Sequence, residues 1–198
     1  CILYGYKIIN RIYHMIYLKV YHFIEDFKKG EIAKLDNKIN IIYRNYKKPI
    51  DEKIINKIKN ECRKSGKKIF LSNNIQIAQK LNLDGAYIPS FNRTLRPKYK
   101  IKKNFQLIGS AHNSKEIKIK EKQGIDIIFL SPIFKINKKR QFLDTIKFNL
   151  LSNLTKKKVV ALGGINERNI KKIKLLNCVG YASITYLKNK SKLNEFRK

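Results

Sequence analysis

Eight short β-rich runs alternate with helix-like stretches along this chain, and no other feature constrains its fold as much. The runs fall at 20–24, 39–43, 67–71, 85–88, 105–109, 126–130, 159–162 and 179–183. Their ends advance from residue 24 to residue 183 in seven steps, or about 23 residues per step. Helical spacing lies between them. Residues 51–64 put Ile54, Ile55 and Ile58 on one face, and 75–81 form a second, shorter pattern. Ser114 suits the N-cap of a helix over 114–123, and Asn166 that of one over 166–176. A strand followed by a helix returns to the sheet parallel to itself and with right-handed connection. Eight such units close a single-domain (β/α)8 TIM barrel, here at the short end of its size range. An open doubly wound sheet would need fewer strands. The barrel is read over residues 20–198. Residues 1–19 read as an N-terminal extension, not necessarily native, of which 1–14 are expected to be dispensable, since the chain starts with Cys1 and its only methionine is Met15.

The longest irregular stretches, 89–104 and 131–140, each follow a strand. In such a barrel the loops after the strands build the active face. One strand-to-loop junction stands out: Val159-Val160-Ala161-Leu162 runs directly into Gly163-Gly164. Bare backbone there fits either a tight turn or a close approach of phosphate to amides at a helix start.

Composition limits the partners. The formal net charge is +31, from 45 Lys+Arg against 14 Asp+Glu. Only 8 of the basic residues are Arg, and the lysines are spread along the chain without an Arg-rich tract or interleaved aromatics. A nucleic-acid partner is therefore not expected. Lys, Ile, Asn, Tyr and Phe are abundant together, a pattern that A+T-rich codons also produce. The three cysteines, Cys1, Cys62 and Cys178, form no CxxC, which argues against zinc or a disulfide framework and for a reducing cytoplasm. No run of 18 uncharged apolar residues exists, so no membrane span is expected.

Six segments in order carry a resemblance: "IIYRNYK" (41–47), "FLSNNIQIAQKLNLDGAYIPSFN" (70–92), "LIGSAHNSKE" (107–116), "GIDIIFLSPIFK" (124–135), "VVALGGIN" (159–166) and "GYASITYL" (180–187). Their order and spacing resemble the thiamine phosphate synthase family and its thiazole tautomerase relatives. The resemblance implies a TIM barrel that joins hydroxymethylpyrimidine diphosphate to thiazole phosphate and releases diphosphate with help from Mg2+. The tautomerase branch instead isomerises a thiazole carboxylate phosphate. A third reading is a catalytically weak barrel that only binds phosphorylated ligands. Small phosphorylated substrates are the implied partners, and a homo-oligomer is left open.

By the same resemblance, Arg44 and Lys47 grip the diphosphate, although the flanking family Gln and Lys read Ile42 and Tyr46. Ser72 and Asn73 stand at the family's "ND" and Asn92 at its later magnesium Asp, so both metal carboxylates have become amides. Mg2+ binds neutral amide oxygens poorly. Ser110 would contact the leaving group, and His112 would carry protons in the tautomerase branch. After the sixth strand the family's threonines are lost at Ile136 and Lys138, while Lys138 and Lys139 supply cations. Gly163, Gly164, Ile184 and Thr185 would cradle the thiazole phosphate.

Overall fold

The computed structural model describes residues 18–95, 101–136 and 141–187. Eight parallel strands close in sequence order into a barrel. They are β1 (Lys19–Ile24), β2 (Ile39–Tyr43), β3 (Ile69–Ser72), β4 (Gly85–Ile88), β5 (Gln106–Ala111), β6 (Ile127–Leu130), β7 (Lys158–Leu162) and β8 (Gly180–Ser183). Around them lie α1 (Glu52–Lys64), α2 (Ile75–Lys80), α3 (Ser114–Lys122), α4 (Asp144–Ser152) and a 3-10 helix, Ile170–Leu175. The expected (β/α)8 architecture is therefore present, with every strand within two residues of its expected limits. Of the expected N-terminal extension, residues 1–17 lie outside the described residues.

Side chains alternate across each strand, so the barrel has two apolar shells. The inner shell is a plug that includes Tyr21, Phe23, Phe70, Tyr87 and Phe129. The aromatic rings meet edge to face, Tyr21 to Phe129 at 4.9 Å and Phe23 to Tyr87 at 5.2 Å between centroids. The outer shell packs strand residues such as Ile41, Ile69 and Ile128 against Ile55, Ile58 and Ala78 of the helices. In α1, Ile55 and Ile58 are buried as its spacing predicted, and the Asp51 carboxylate accepts from the Lys53 and Ile54 amides to cap it.

Two local expectations are corrected, and two further features were not read from the sequence. Asn113, not Ser114, caps α3; its Oδ1 accepts from the Glu116 amide at 2.9 Å. The 166–176 pattern winds only as the 3-10 helix, and the Asn166 side chain closes a turn onto the Arg168 amide instead. Residues between β1 and β2 form turns rather than a helix. The helix α4 had no amphipathic signature, because Ile146 and Leu150 face outward at 72% and 63% exposure.

Candidate active site at the strand ends

The alternation that builds the plug also builds the site. The uppermost plug residues of seven strands are Phe23, Ile42, Phe70, Ile108, Phe129, Leu162 and Ala182. Two residues further along each strand, pointing the same way, come Glu25, Arg44, Ser72, Ser110, Ser131, Gly164 and Ile184. The register supports this, with Ser72 level with the inward Tyr87 and Ser110 level with the inward Phe129. The plug thus ends in a polar ring at the carboxyl ends of the strands, where barrels of this kind bind ligands. Arg44, Ser72, Ser110, Gly164 and Ile184 were expected there; Glu25 and Ser131 were not.

On the β1–β2 side, Arg44 Nη2 donates to Glu25 Oε1 at 2.9 Å, and its guanidinium lies 5.0 Å from the centre of the Phe23 ring. Charge and stacking together fix the guanidinium over the plug. Lys47 is exposed, and its amide closes a turn onto Asn45 Oδ1. Beside this arc, a cavity of about 470 Å³ runs from His22 to Ile184 and Thr185. Glu25, Asp26 and Glu31 line it together with Lys28 and Lys34, and it shares Glu25 and Ile184 with the ring.

On the β3–β4 side, the Ser72 and Tyr46 hydroxyls are bonded at 2.7 Å, and the Tyr46 and Phe91 rings meet edge to face. Asn74 caps α2. Asn73 instead adopts φ 60°, the left-handed region, and its Oδ1 accepts from Asn92 Nδ2 at 2.7 Å. Asn92 Oδ1 in turn accepts from the Thr94 amide. Both amide oxygens at the two positions where the resemblance implies Mg2+ are thus engaged, and both are neutral. Among the described residues no three His, Cys, Asp or Glu side chains are grouped to hold a metal. These residues do not fit a magnesium site.

On the β4–β6 side, the Tyr87 hydroxyl is bonded to Ser110, and burial pushes its pKa up to about 12. His112 Nδ1 lies 2.6 Å from the Ser131 carbonyl oxygen, which can only accept, so Nδ1 carries the proton in the neutral ring. Nε2 is then left to accept from the Ser90 hydroxyl at 3.0 Å. The Glu116 carboxylate holds the His112 amide at 2.8 Å. This Ser90–His112 pair has one defined tautomer, and Ser90 was not among the expected residues.

On the β7–β8 side, Gly163 and Gly164 have φ 95° and 73°. A Cβ at Gly164 would run into the Phe134 carbonyl, and one at Gly163 would meet Pro132 at 3.0 Å. The loop after β6 thus lies directly on the glycine backbone, and Ile133 and Phe134 donate to the Leu162 and Gly163 carbonyls. Ile184 and Thr185 are exposed at the end of β8. Lys138 and Lys139 lie outside the described residues. No helix among the described residues is long and apolar enough to cross a membrane.

Residues 33–187 match a family model described as thiamine monophosphate synthase. A thiamine-phosphate synthase of Methanococcus vannielii is 28% identical over 118 residues, 59% of this chain and 57% of the relative. One of Prochlorococcus marinus is 32% identical over 150 residues, 68% of this chain and 42% of the relative. The chain spans about half the length of these curated relatives. Among solved structures, a thiamine phosphate pyrophosphorylase from Pyrococcus furiosus superposes with a TM-score of 0.72 at 17% identity, covering 89% of this chain and 93% of that one.

Proposed function

Because the chain belongs to the thiamine monophosphate synthase family, we propose that it transfers a hydroxymethylpyrimidine group from its diphosphate to a thiazole phosphate, releasing diphosphate. The observation that carries this reading is the polar ring, where one guanidinium and several hydroxyls stand directly above an aromatic plug. In the transfer, the bond from the pyrimidine methylene carbon to the diphosphate oxygen breaks, and a bond to the thiazole nitrogen forms. Negative charge grows on the departing oxygen. Arg44 is held by Glu25 and Phe23 so that its remaining N–H groups can meet that charge. Ser72 and Ser110, tied to Tyr46 and Tyr87, offer hydroxyls at fixed positions in the same ring. Phe23 and Tyr87 form the buried apolar base beneath the ring that carries Arg44. Gly163, Gly164, Ile184 and Thr185 contribute backbone for the thiazole phosphate across the ring, which orients the nitrogen toward the methylene carbon. The reaction belongs to the cytoplasm, where Cys62 and Cys178 stay free thiols.

The test is a reaction of the purified chain with both phosphorylated substrates, with thiamine phosphate and diphosphate measured, beside complementation of a thiamine-requiring strain. Formation of both products supports the reading; neither product, with a folded protein, overturns it. A second reading has its own observation. The Ser90–His112–Ser131 arrangement is a tautomer-locked acid–base pair, which suits a thiazole tautomerase-type isomerase. Loss of isomerisation in His112→Gln, with transfer intact, would favour it. A barrel that only binds phosphorylated ligands would show affinity and neither reaction.

A further inference from the structure

We propose that this chain holds the diphosphate of its substrate without a divalent cation, because the two loops that a metal would bridge are already tied together by protein groups. The inference rests on the diphosphate reading above. One tie is the Asn73–Asn92 amide bond between the loop after β3 and the loop after β4. A second set of contacts holds the loop after β4 to α3 behind it. Lys120 of α3 is fully buried, and its ammonium donates to the Pro89 carbonyl at 2.8 Å, the Asn92 carbonyl at 2.8 Å and Gln123 Oε1 at 2.9 Å. Gln123 Nε2 then donates to the Asn92 and Thr94 carbonyls at 3.0 and 2.9 Å.

Lys120 of α3 and Gln123, the residue just past its end, therefore hold four carbonyl contacts on a loop of six residues, 89–94. The barrel wall makes room for them. Gly109 on β5 has no side chain, and a Cβ there would lie 3.4 Å from Lys120 Cδ and closer still to the Ile88 carbonyl. The pinned loop carries three contacts across the mouth: Ser90 to His112, Phe91 to Tyr46 and Asn92 to Asn73. Burying an ammonium is costly unless its protons are used, and here three oxygens use them. Its positive charge stands behind the loop, so it opposes a cation at Asn92 and favours an anion. Lys120 is a positioning residue in this scheme and touches no substrate.

The experiment is calorimetric titration of the full chain with inorganic pyrophosphate, in EDTA and in Mg2+. The wild type should bind in EDTA, and Mg2+ should not tighten binding. Lys120→Met keeps the aliphatic stem and should weaken binding in EDTA by about tenfold, the size expected for a lost charge-assisted contact. Restoring carboxylates with Asn73→Asp and Asn92→Asp should make binding depend on Mg2+. In that background with Mg2+, Lys120→Met should matter little, because the metal then ties the loops; a general loss of fold would not be rescued this way. Wild-type binding only with Mg2+ overturns the inference and leaves the transfer reading standing. Unchanged affinity of Lys120→Met in EDTA also overturns it. No pyrophosphate binding in either condition removes the diphosphate reading and this inference with it.

Discussion

The two sides of the barrel mouth are built from opposite materials. Across β7 and β8 the surface is backbone: Gly163 and Gly164 at positive φ, with the loop after β6 resting on them. Across β3 and β4 it is a network of side chains, in which Asn73, Asn92, Lys120 and Gln123 hold one another. The first arrangement tolerates little added bulk, because the loop after β6 packs on it, with carbonyls against Gly164 and Pro132 and Ile136 against Gly163. The second tolerates changes of residue but not of hydrogen-bonding capacity. The difference teaches where each kind of substitution should act. Added bulk should damage the fold on the glycine side. Lost polar groups should damage ligand binding on the asparagine side.

The largest effect is expected at Gly164. Gly164→Ala would put a side chain at φ 73° and against the Phe134 carbonyl. Strain and overpacking together should lower stability by about 3 kcal/mol. Chemical unfolding measures it. A loss below about 1 kcal/mol, smaller than a single strained residue usually costs, would show that the loop after β6 yields, and the contrast between the two sides would weaken.

This contrast also explains what the sequence disclosed. Gly163-Gly164 announced itself because two glycines after an apolar run are unusual. Arg44, Ser72 and Ser110 were named through the family resemblance, and the structure places each at a strand end, where the inward alternation carries it into the ring. Lys120 could not be found this way. It is one of 45 basic residues, on a helix whose spacing marks no special position for it. Its partners are backbone carbonyls some 30 residues away in sequence, which no local pattern reveals. Ser90 and Ser131 were missed for the same reason, since their meaning comes only through His112. The fold was more legible than the site because period-2 burial repeats eight times, whereas each site contact occurs once. The exceptions in the fold were α4, with apolar residues facing outward, and the turn-only connection after β1.

Lys120→Met should come next in size. Removing the ammonium takes a donor from the Pro89 carbonyl and from Gln123 Oε1 in a buried place, while the Asn92 carbonyl keeps Gln123 Nε2, at a cost of about 2 kcal/mol. Thermal or urea unfolding reads it. A neutral result would mean that water or Gln123 takes over, and that the side-chain network is redundant.

Tyr87 lies in the plug beneath the ring, against Phe23 and Phe129, and its effect depends on pH. Its pKa is raised from 10.0 to about 12, first by burial, with the Ser110 bond acting the other way. The unfolded chain therefore loses this proton before the folded one does. The stability it contributes is fully present below pH 10 and is lost as pH rises from 10 towards 12, at about 1.4 kcal/mol per pH unit for one proton. Tyr87→Phe should cost about 1 kcal/mol at neutral pH, through the lost hydroxyl contact. It should also flatten the alkaline decline by one proton. Identical slopes for both proteins between pH 10 and 12 would show that Tyr87 ionises freely in the folded state.

The smallest effect on stability, and the most discriminating, is expected at Asn73. Its φ of 60° is a conformation that glycine adopts without penalty, whereas Asn merely tolerates it. Asn73→Gly therefore relieves the backbone while deleting the exposed bond to Asn92. The relief and the loss are each about 0.5–1 kcal/mol, so stability should change by less than about 0.5 kcal/mol. Binding should behave differently. Without the amide bond, the side-chain link from the loop after β3 to the pinned loop after β4 is lost, and pyrophosphate affinity in EDTA should fall. If affinity holds while stability drops, the asparagine pair serves the fold. Both sides of the mouth would then be structural, and the difference drawn between them would disappear.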